Sequence, residues 1–389
     1  LLAIGRKNID PILSATVFLS DYLHIVCLDA PSPPDYGGAI DMHYKVKALA
    51  ETGKRIILHF FDYNPYRNTK GLEPYCESIY SYRRKSIFRS LPLSQPFIVQ
   101  SRSNEDLIHR LNCDDHPILL EGLHCSGVIP SIDNPQRVVV RMHNEEAAYY
   151  YHLAQAESSF LKKKYFLQES GLLTRYQQKL DKKIKLACLS QTDIDIFTTE
   201  YKFQQVHFIP CFIPWQRINS KEGSGDYCLY HGNMSVSENE EAALWLIQEV
   251  FSKLQAELII AGKGISSRLK KLAASHKHIQ LIDRPSIAEI DELIQNAQIN
   301  VLPSVNNTGV KLKLLNALLN GRFCITNSNG VKGSKIEKGL VIRNNPTEWI
   351  QSITLLLQKR FSAAEIESRD EISALYNNGQ NAARLSALW

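Results

Sequence analysis

The segment from Ile299 to Asn327 sets the tightest limit on how this chain folds. Its apolar run Ile299-Asn300-Val301-Leu302 ends in Pro303-Ser304 and reads as a strand tip. Asn306-Asn307-Thr308-Gly309 then supplies turn chemistry and a helix start. From Val310 on, Leu312, Leu315, Leu318 and Leu319 recur at helical spacing until Gly321 stops the helix. A helix start that exposes N–H groups beside Lys311 and Lys313 is a place to hold a phosphate. Each lysine at about 4 Å from a phosphate charge gains roughly 4 kcal/mol of Coulomb energy at an effective dielectric of about 20, before either partner loses water. The bland alternative is a solvated amphipathic helix that carries lysines.

The same frame opens the first half. Residues 23–28 (LHIVCL) form a strand, a proline-rich loop ends in Gly37-Gly38, and a helix over residues 39–52 stops at Gly53. Two glycines at a helix start let backbone approach a ligand closely, or act as turn residues alone. Residues 55–61 are the next strand, and weaker strands are expected at 78–82, 96–100, 117–121 and 137–141. His143 stands just past the last of these, at a carboxyl end where open α/β sheets place ligand groups. A purely structural hydrogen-bonding role is its alternative. Residues 145–186 read as one long helix or two consecutive ones, followed by a strand at 186–190, a helix from Thr192 or Asp193, and a strand at 206–210. Asp193-Ile194-Asp195 has the look of a metal-nucleotide site, but acids in a first helical turn complement the helix dipole, and no metal ligands are expected.

Residues 211–226, with Pro214 and Glu222-Gly223-Ser224-Gly225, read as an interdomain linker. The plan then restarts: a strand at 227–231, the loop Gly232-Asn233-Met234, and a helix boxed by Ser237 and Glu240. A strand at 257–261 leads into Gly262-Lys263-Gly264, a strand at 279–282 into a helix boxed by Ser286 and Glu289. Residues 322–326 form another strand, and Asn345-Pro346 starts a late helix to about residue 359. The expected domains are 1–212, 226–362, and a helical tail, 363–389, that folds back on the first half.

A length of 389 residues suits two domains with their own cores. The net charge of +5 is too mild to argue for nucleic acid. No run reaches the roughly 18 apolar residues of a membrane span, and residues 12–19, flanked by Asp10 and Asp21, lack a signal-peptide cleavage pattern. Eight cysteines without C-x-x-C spacing point to a reducing cytoplasm. Residues 152–187 carry eight Lys/Arg against three acids, which suits peripheral contact with the anionic inner face of a membrane or an acidic acceptor, or else is a solvated helix face.

Gly262-x-Gly264-x-x-Ser267 lies between strand and helix with Asp283 about 20 residues on, the outline of a dinucleotide fingerprint and of an NAD-type oxidoreductase. The third glycine is replaced by Ser267, and Lys263 adds bulk where a pyrophosphate packs. The order of features matches another family better. Gly37-Gly38, Arg141-x-His143-Asn144-Glu145, Gly232-Asn233-Met234 with Asn239, Ala261-Gly262-Lys263-Gly264, and Gly309-x-x-x-Lys313-Leu314-Leu315-Asn316-Ala317 through Asn320-Gly321-Arg322 resemble the GT-B glycosyltransferases of family 4.

That resemblance implies an α/β chain of two Rossmann-like domains facing across a cleft, moving a sugar from a nucleotide-diphosphate donor to a glycan or lipid-linked acceptor. It implies a retaining, metal-independent reaction, with the donor as substrate and no cofactor. By position, Lys313 and Lys311 face the donor diphosphate, Gly232 and Lys263 line the same pocket, and Gly37 and Gly38 close over the phosphates. His143 lies near the transferred sugar, with His143 and Lys313 as the catalytic pair; Thr308, Gly309 and Asn316 complete the donor-binding set. Thr308 and Asn316 stand where the family has a pair of glutamates. A carboxylate on a ribose hydroxyl is worth about 1.5–3 kcal/mol and a neutral amide about 0.5–1.5, so the loss is about tenfold in donor affinity. A non-catalytic nucleotide-sugar-binding or scaffold protein is the rival that this departure motivates.

Overall fold

The structure is a computed structural model that describes residues 21–86, 95–157 and 159–389; the apolar stretch at 12–19 lies outside them. Seven parallel strands make the first sheet: β1 (Tyr22–Cys27), β2 (Arg55–Asp62), β3 (Cys76–Arg83), β4 (Ile118–Glu121), β5 (Val138–Met142), β6 (Lys185–Cys188) and β7 (Gln205–Phe208), in the order β3-β2-β1-β4-β5-β6-β7. The second sheet holds β8 (Cys228–His231), β9 (Leu258–Gly262), β10 (Ile279–Asp283), β11 (Ile299–Leu302), β12 (Phe323–Thr326) and β13 (Val341–Ile342), in the order β10-β9-β8-β11-β12-β13. Helices cover both faces, so every residue of β4, β5, β8, β11 and β12 is buried and their sequences are mostly apolar, with Glu121, Arg141, His231, Asn300 and Thr326 as the polar exceptions. In each sheet the order reverses between two central strands, β1 with β4 and β8 with β11, and a crevice opens past their carboxyl ends. The chain is α/β, with two Rossmann-like sheets facing across a cleft.

Several local expectations need correction. Residues 96–100 form no strand: Pro96 precedes a single helical turn, Phe97–Gln100, that buries Ile98 and Val99 while the Ile98 N–H donates to Glu169 at 2.9 Å. A short apolar run after proline fits either geometry, and the buried carboxylate decides it. The box at Ser237 does not form either. The helix Ser237–Trp245 is capped by Val236, and Glu240 accepts instead from Ser266. The box at Ser286 and Glu289 does form, and Asn345 caps the helix Pro346–Leu357. The basic segment is two helices, Glu146–Ala156 and Phe160–Lys179, before β6. No helix of the described residues is long and apolar enough to cross a membrane.

The chain passes between the two units twice. Residues 211–226 make the first crossing, with Phe212 and Ile213 fully buried. Beyond the helix Pro346–Leu357, Ile372 and Tyr376 pack in the second core, and the last helix, Asn378–Ser386, returns to set Ala382 and Leu385 against Met42 and Val46 of the first. The crossings are tied together: the Ile213 N–H donates to Asn378 Oδ1 at 3.0 Å, and Asn378 Nδ2 donates to the Ile213 carbonyl at 2.9 Å. Leu385→Ala is expected to cost about 2–5 kcal/mol of stability, read as a lower midpoint in urea unfolding.

Candidate active site

At the mouth of the first sheet, five charged or titratable side chains meet. Lys45 Nζ lies 2.6 Å from Asp41 and 2.8 Å from Glu121, and Arg141 grips Asp41 through Nη2 at 3.0 Å and Nε at 3.2 Å. Arg141 also donates to the Ile209 and Pro210 carbonyls, and Asp41 accepts the Phe212 N–H at 2.8 Å. Burial alone raises a carboxyl pKa, but Arg141 and Lys45 outweigh it at Asp41, and Lys45 with His143 does so at Glu121, so both stay ionised. Asp41, Glu121 and His143 bring ligand-type atoms within 4.8 Å of one another. Lys45 and Arg141 already neutralise the two carboxylates, and a metal ion there would meet their charges.

This network orients His143. Its Nε2 donates to Glu121 at 2.9 Å, which leaves Nδ1 toward Gly38, where an added Cβ would stand 3.4 Å from it. Gly38 thus keeps the imidazole uncovered. Across the cleft Gly309 has φ +64, and a Cβ there would lie 2.6 Å from Asn144 Oδ1. Glycine is required on both counts.

A first cavity of about 320 Å³ opens between the sheets, lined by Gly37, Gly38, His143, Glu146, Thr308 and Gly309 among others. A second, of about 560 Å³, is lined by Asp35, His231, Gly232, Lys263, Asp291 and Asn316 among others. The loop after β1 is their common wall: Pro34 and Asp35 face the second cavity, Tyr36 to Gly38 the first. The helix Leu312–Asn320 joins them on the other side, with Leu312 in the first and Asn316 one turn on in the second. Lys263 reaches across to Asp35 at 3.8 Å.

The two helix-start lysines line neither cavity. Lys311 is the residue before the helix and folds back on Asn306 and the Thr308 carbonyl. Lys313 turns behind Gly232, donating to Asn239 Oδ1 at 2.9 Å and Tyr230 Oη at 3.2 Å. Among the described residues no carboxylate comes within ion-pair distance of Lys313; burial and the Lys311 charge push its pKa down to about 7, against the pull of Glu238. His231 is pushed to about 3 by burial and then by Lys313, so it is neutral.

Several contributors were not singled out from the sequence. Glu146 lies in the Asn144-Glu145-Glu146 run, yet nothing in the spacing tells which glutamate faces a cavity. Glu145 caps its helix by accepting from Ala147 and Ala148, while Glu146 lines the first cavity. Burial and the neighbouring Glu145 push Glu146 up to about 8, so it holds a proton at neutral pH. Asp193 sits in its first helical turn but is buried, bonded by Ser190 Oγ at 2.7 Å and the Glu145 N–H at 3.2 Å, and burial raises it to about 6. The glycines of the 262–264 loop also have a structural reason. A Cβ on Gly262 would stand 1.7 Å from the Gly232 carbonyl, and one on Gly264 2.0 Å from Ser235 Oγ. They interlock two loops of the same domain, which accounts for the fingerprint without a dinucleotide.

Because Glu146 titrates near 8 when folded and near about 4.3 unfolded, the folded state binds more protons between those values and loses stability as pH rises through them. Glu146→Gln is therefore expected to flatten the fall in melting temperature from about pH 5 to about pH 8.

Residues 225–359 match the family model described as Glycosyl transferases group 1. The chain is 28% identical over 345 residues, 82% of its length and 87% of the relative's, to an uncharacterized 44.6 kDa protein in the cps region of Klebsiella pneumoniae. Sucrose-phosphate synthase from Thermosynechococcus elongatus superposes with a TM-score of 0.68 at 15% identity, covering 94% of this chain and 98% of that one. HepE of Anabaena, solved in complex with UDP-glucose, gives 0.63 at 11% identity over 94% and 100%. The second unit of this chain thus matches the glycosyl transferases group 1 model, and the two units together have the GT-B fold.

Proposed function

We propose that the protein transfers a sugar from a nucleotide-diphosphate donor to a glycan or lipid-linked acceptor. The observation that carries this is Lys313, a half-buried ammonium bonded only to the neutral Asn239 and Tyr230 behind Gly232, with no carboxylate partner among the described residues. An uncompensated buried cation costs stability, and an anionic ligand offsets that cost. The nucleoside occupies the second cavity, the sugar the first, and the diphosphate passes the start of the Leu312–Asn320 helix beside Lys263 and Gly37. The C1–O bond to the diphosphate breaks with its electron pair leaving on phosphate, where Lys313, Lys263 and the helix N–H groups stabilise the developing charge. The acceptor hydroxyl forms the new bond on the same face of the sugar, and its proton passes to the departing phosphate oxygen. His143 accepts a sugar hydroxyl at Nδ1, and protonated Glu146 donates to another. No metal is needed for this charge balance.

Thr308 and Asn316 at the usual glutamate positions favour the second reading, a protein that binds the donor without turning it over. HepE carries UDP-glucose in the same fold, which makes nucleotide sugars the ligands to try. Phe160 and Leu161, 77% and 78% exposed beside exposed Lys162 and Lys164, support a cytoplasmic protein in peripheral contact with an anionic membrane. Flotation with anionic liposomes, salt-sensitive and lost in Phe160→Ser/Leu161→Ser, is the expected result.

A nucleoside diphosphate is expected to raise the melting temperature, and Lys313→Met to weaken its binding about 10- to 100-fold. Binding needs the ammonium form, and free Lys313 titrates near 7. Affinity should therefore fall by up to about tenfold per pH unit above about 7, with proton uptake in calorimetry that disappears in Lys313→Met. Release of nucleotide from a donor with an acceptor present separates transfer from binding alone.

A further inference from the structure

The second cavity needs a hydrogen-bond acceptor for a ribose, and Asn316 is not it. Its Oδ1 accepts from Asn320 Nδ2 at 2.7 Å, which turns the oxygen toward its own helix and the amide N–H groups toward the cavity. Those N–H groups meet a carboxylate from the neighbouring helix Ile287–Asn296, Asp291, which hydrogen-bonds the Asn316 side chain and lines the same cavity. The cavity's other carboxylate, Asp35, is engaged by Arg67 at 2.7 Å and faces Lys263. Among the described residues no cation lies within ion-pair distance of Asp291. It is half-buried and open on the cavity side, and the Tyr44 phenol from the first domain lies near enough to feel its charge. A separate sign of a polar occupant is His231: the side chain is 6% exposed, lines this cavity, and its Nε2 is buried without a partner.

We propose that Asp291 accepts the ribose 2′- and 3′-hydroxyls of the donor nucleotide, replacing from the adjacent helix the carboxylate that Asn316 does not provide. Two vicinal hydroxyls donate naturally to the two oxygens of one carboxylate, the pairing by which acidic residues select ribose in other nucleotide sites. The Asn316 amide holds that carboxylate in place from the opposite side. The cavity therefore reads ribonucleotides over 2′-deoxyribonucleotides, and the reading survives the absence of a glutamate on the helix Leu312–Asn320. This rests on the donor-nucleotide reading of the cavity.

The test measures binding of UDP and GDP against their 2′-deoxy counterparts by calorimetry, in the full chain and in Asp291→Asn and Asn316→Ala. The parent protein should bind its preferred ribonucleotide about tenfold more tightly than the deoxy form. Asp291→Asn should lose that preference while binding the deoxy ligand as before, which also reports that the pocket is folded. A preference left intact in Asp291→Asn overturns the proposal; its loss in Asn316→Ala alone would assign the ribose to Asn316 and leave the donor site standing. If neither ribonucleotide binds the parent protein, the donor-site reading falls and the proposal with it.

Discussion

The carboxylate of Asp41 is the point through which the cleft is assembled. It receives Lys45 from its own helix, Arg141 from β5 and the Phe212 N–H from the segment leading to the second unit. Arg141 in turn holds the carbonyls of Ile209 and Pro210 just past β7. One fully buried ion cluster thus fixes the first helix, the middle of the sheet and the way out of it. Removing one member of such a cluster leaves the others charged and unpaired, which costs several times more than the cluster contributes as a whole. His143 inherits this rigidity through Glu121, so the imidazole is set by the same charges that set the fold.

The two cavities divide the work by chemistry. The first is ringed by His143, protonated Glu146 and the glycines Gly37, Gly38 and Gly309, small residues and neutral hydrogen bonders suited to a sugar. The second combines a carboxylate with no cation in ion-pair distance among the described residues, the amide that holds it, and a neutral histidine at the end of β8. The helix from Leu312 spans both, with Leu312 at the first and Asn316 at the second.

Much of the fold is legible in the sequence because burial on both faces forces mostly apolar strands, and because glycine and asparagine punctuate the helices between them. β1 is clear in this way, as is the Ser286 cap, whereas β4 and β5 are weaker signals because Glu121 and Arg141 break their apolar runs. The segment at 96–100 does not, since its geometry is set by Glu169, 71 residues later in the chain. The candidate site is less legible for the same reason. Gly37, Gly38, His143, Gly232, Lys263, Thr308 and Gly309 lie past strand ends, Asn316 comes from the resemblance and lies in the helix beyond, and all of them line a cavity. The direction of the Lys311 and Lys313 side chains is settled by Asn306, Asn239 and Tyr230, partners that no periodicity reveals. Asp291 lies in an ordinary amphipathic helix, five residues after its cap Ser286, and only the register of two helices brings it to Asn316.

The mutual bonds of Ile213 and Asn378 have a mechanical meaning. Both covalent passages between the units run through one stapled spot, reinforced by Gln216 accepting the Asn378 N–H at 2.8 Å. Two straps pinned together tie the way into the second unit to the way back, so neither passage shifts without dragging the other. The register of the cleft walls, Gly309 against Asn144 included, is thereby anchored where the chain crosses between the units.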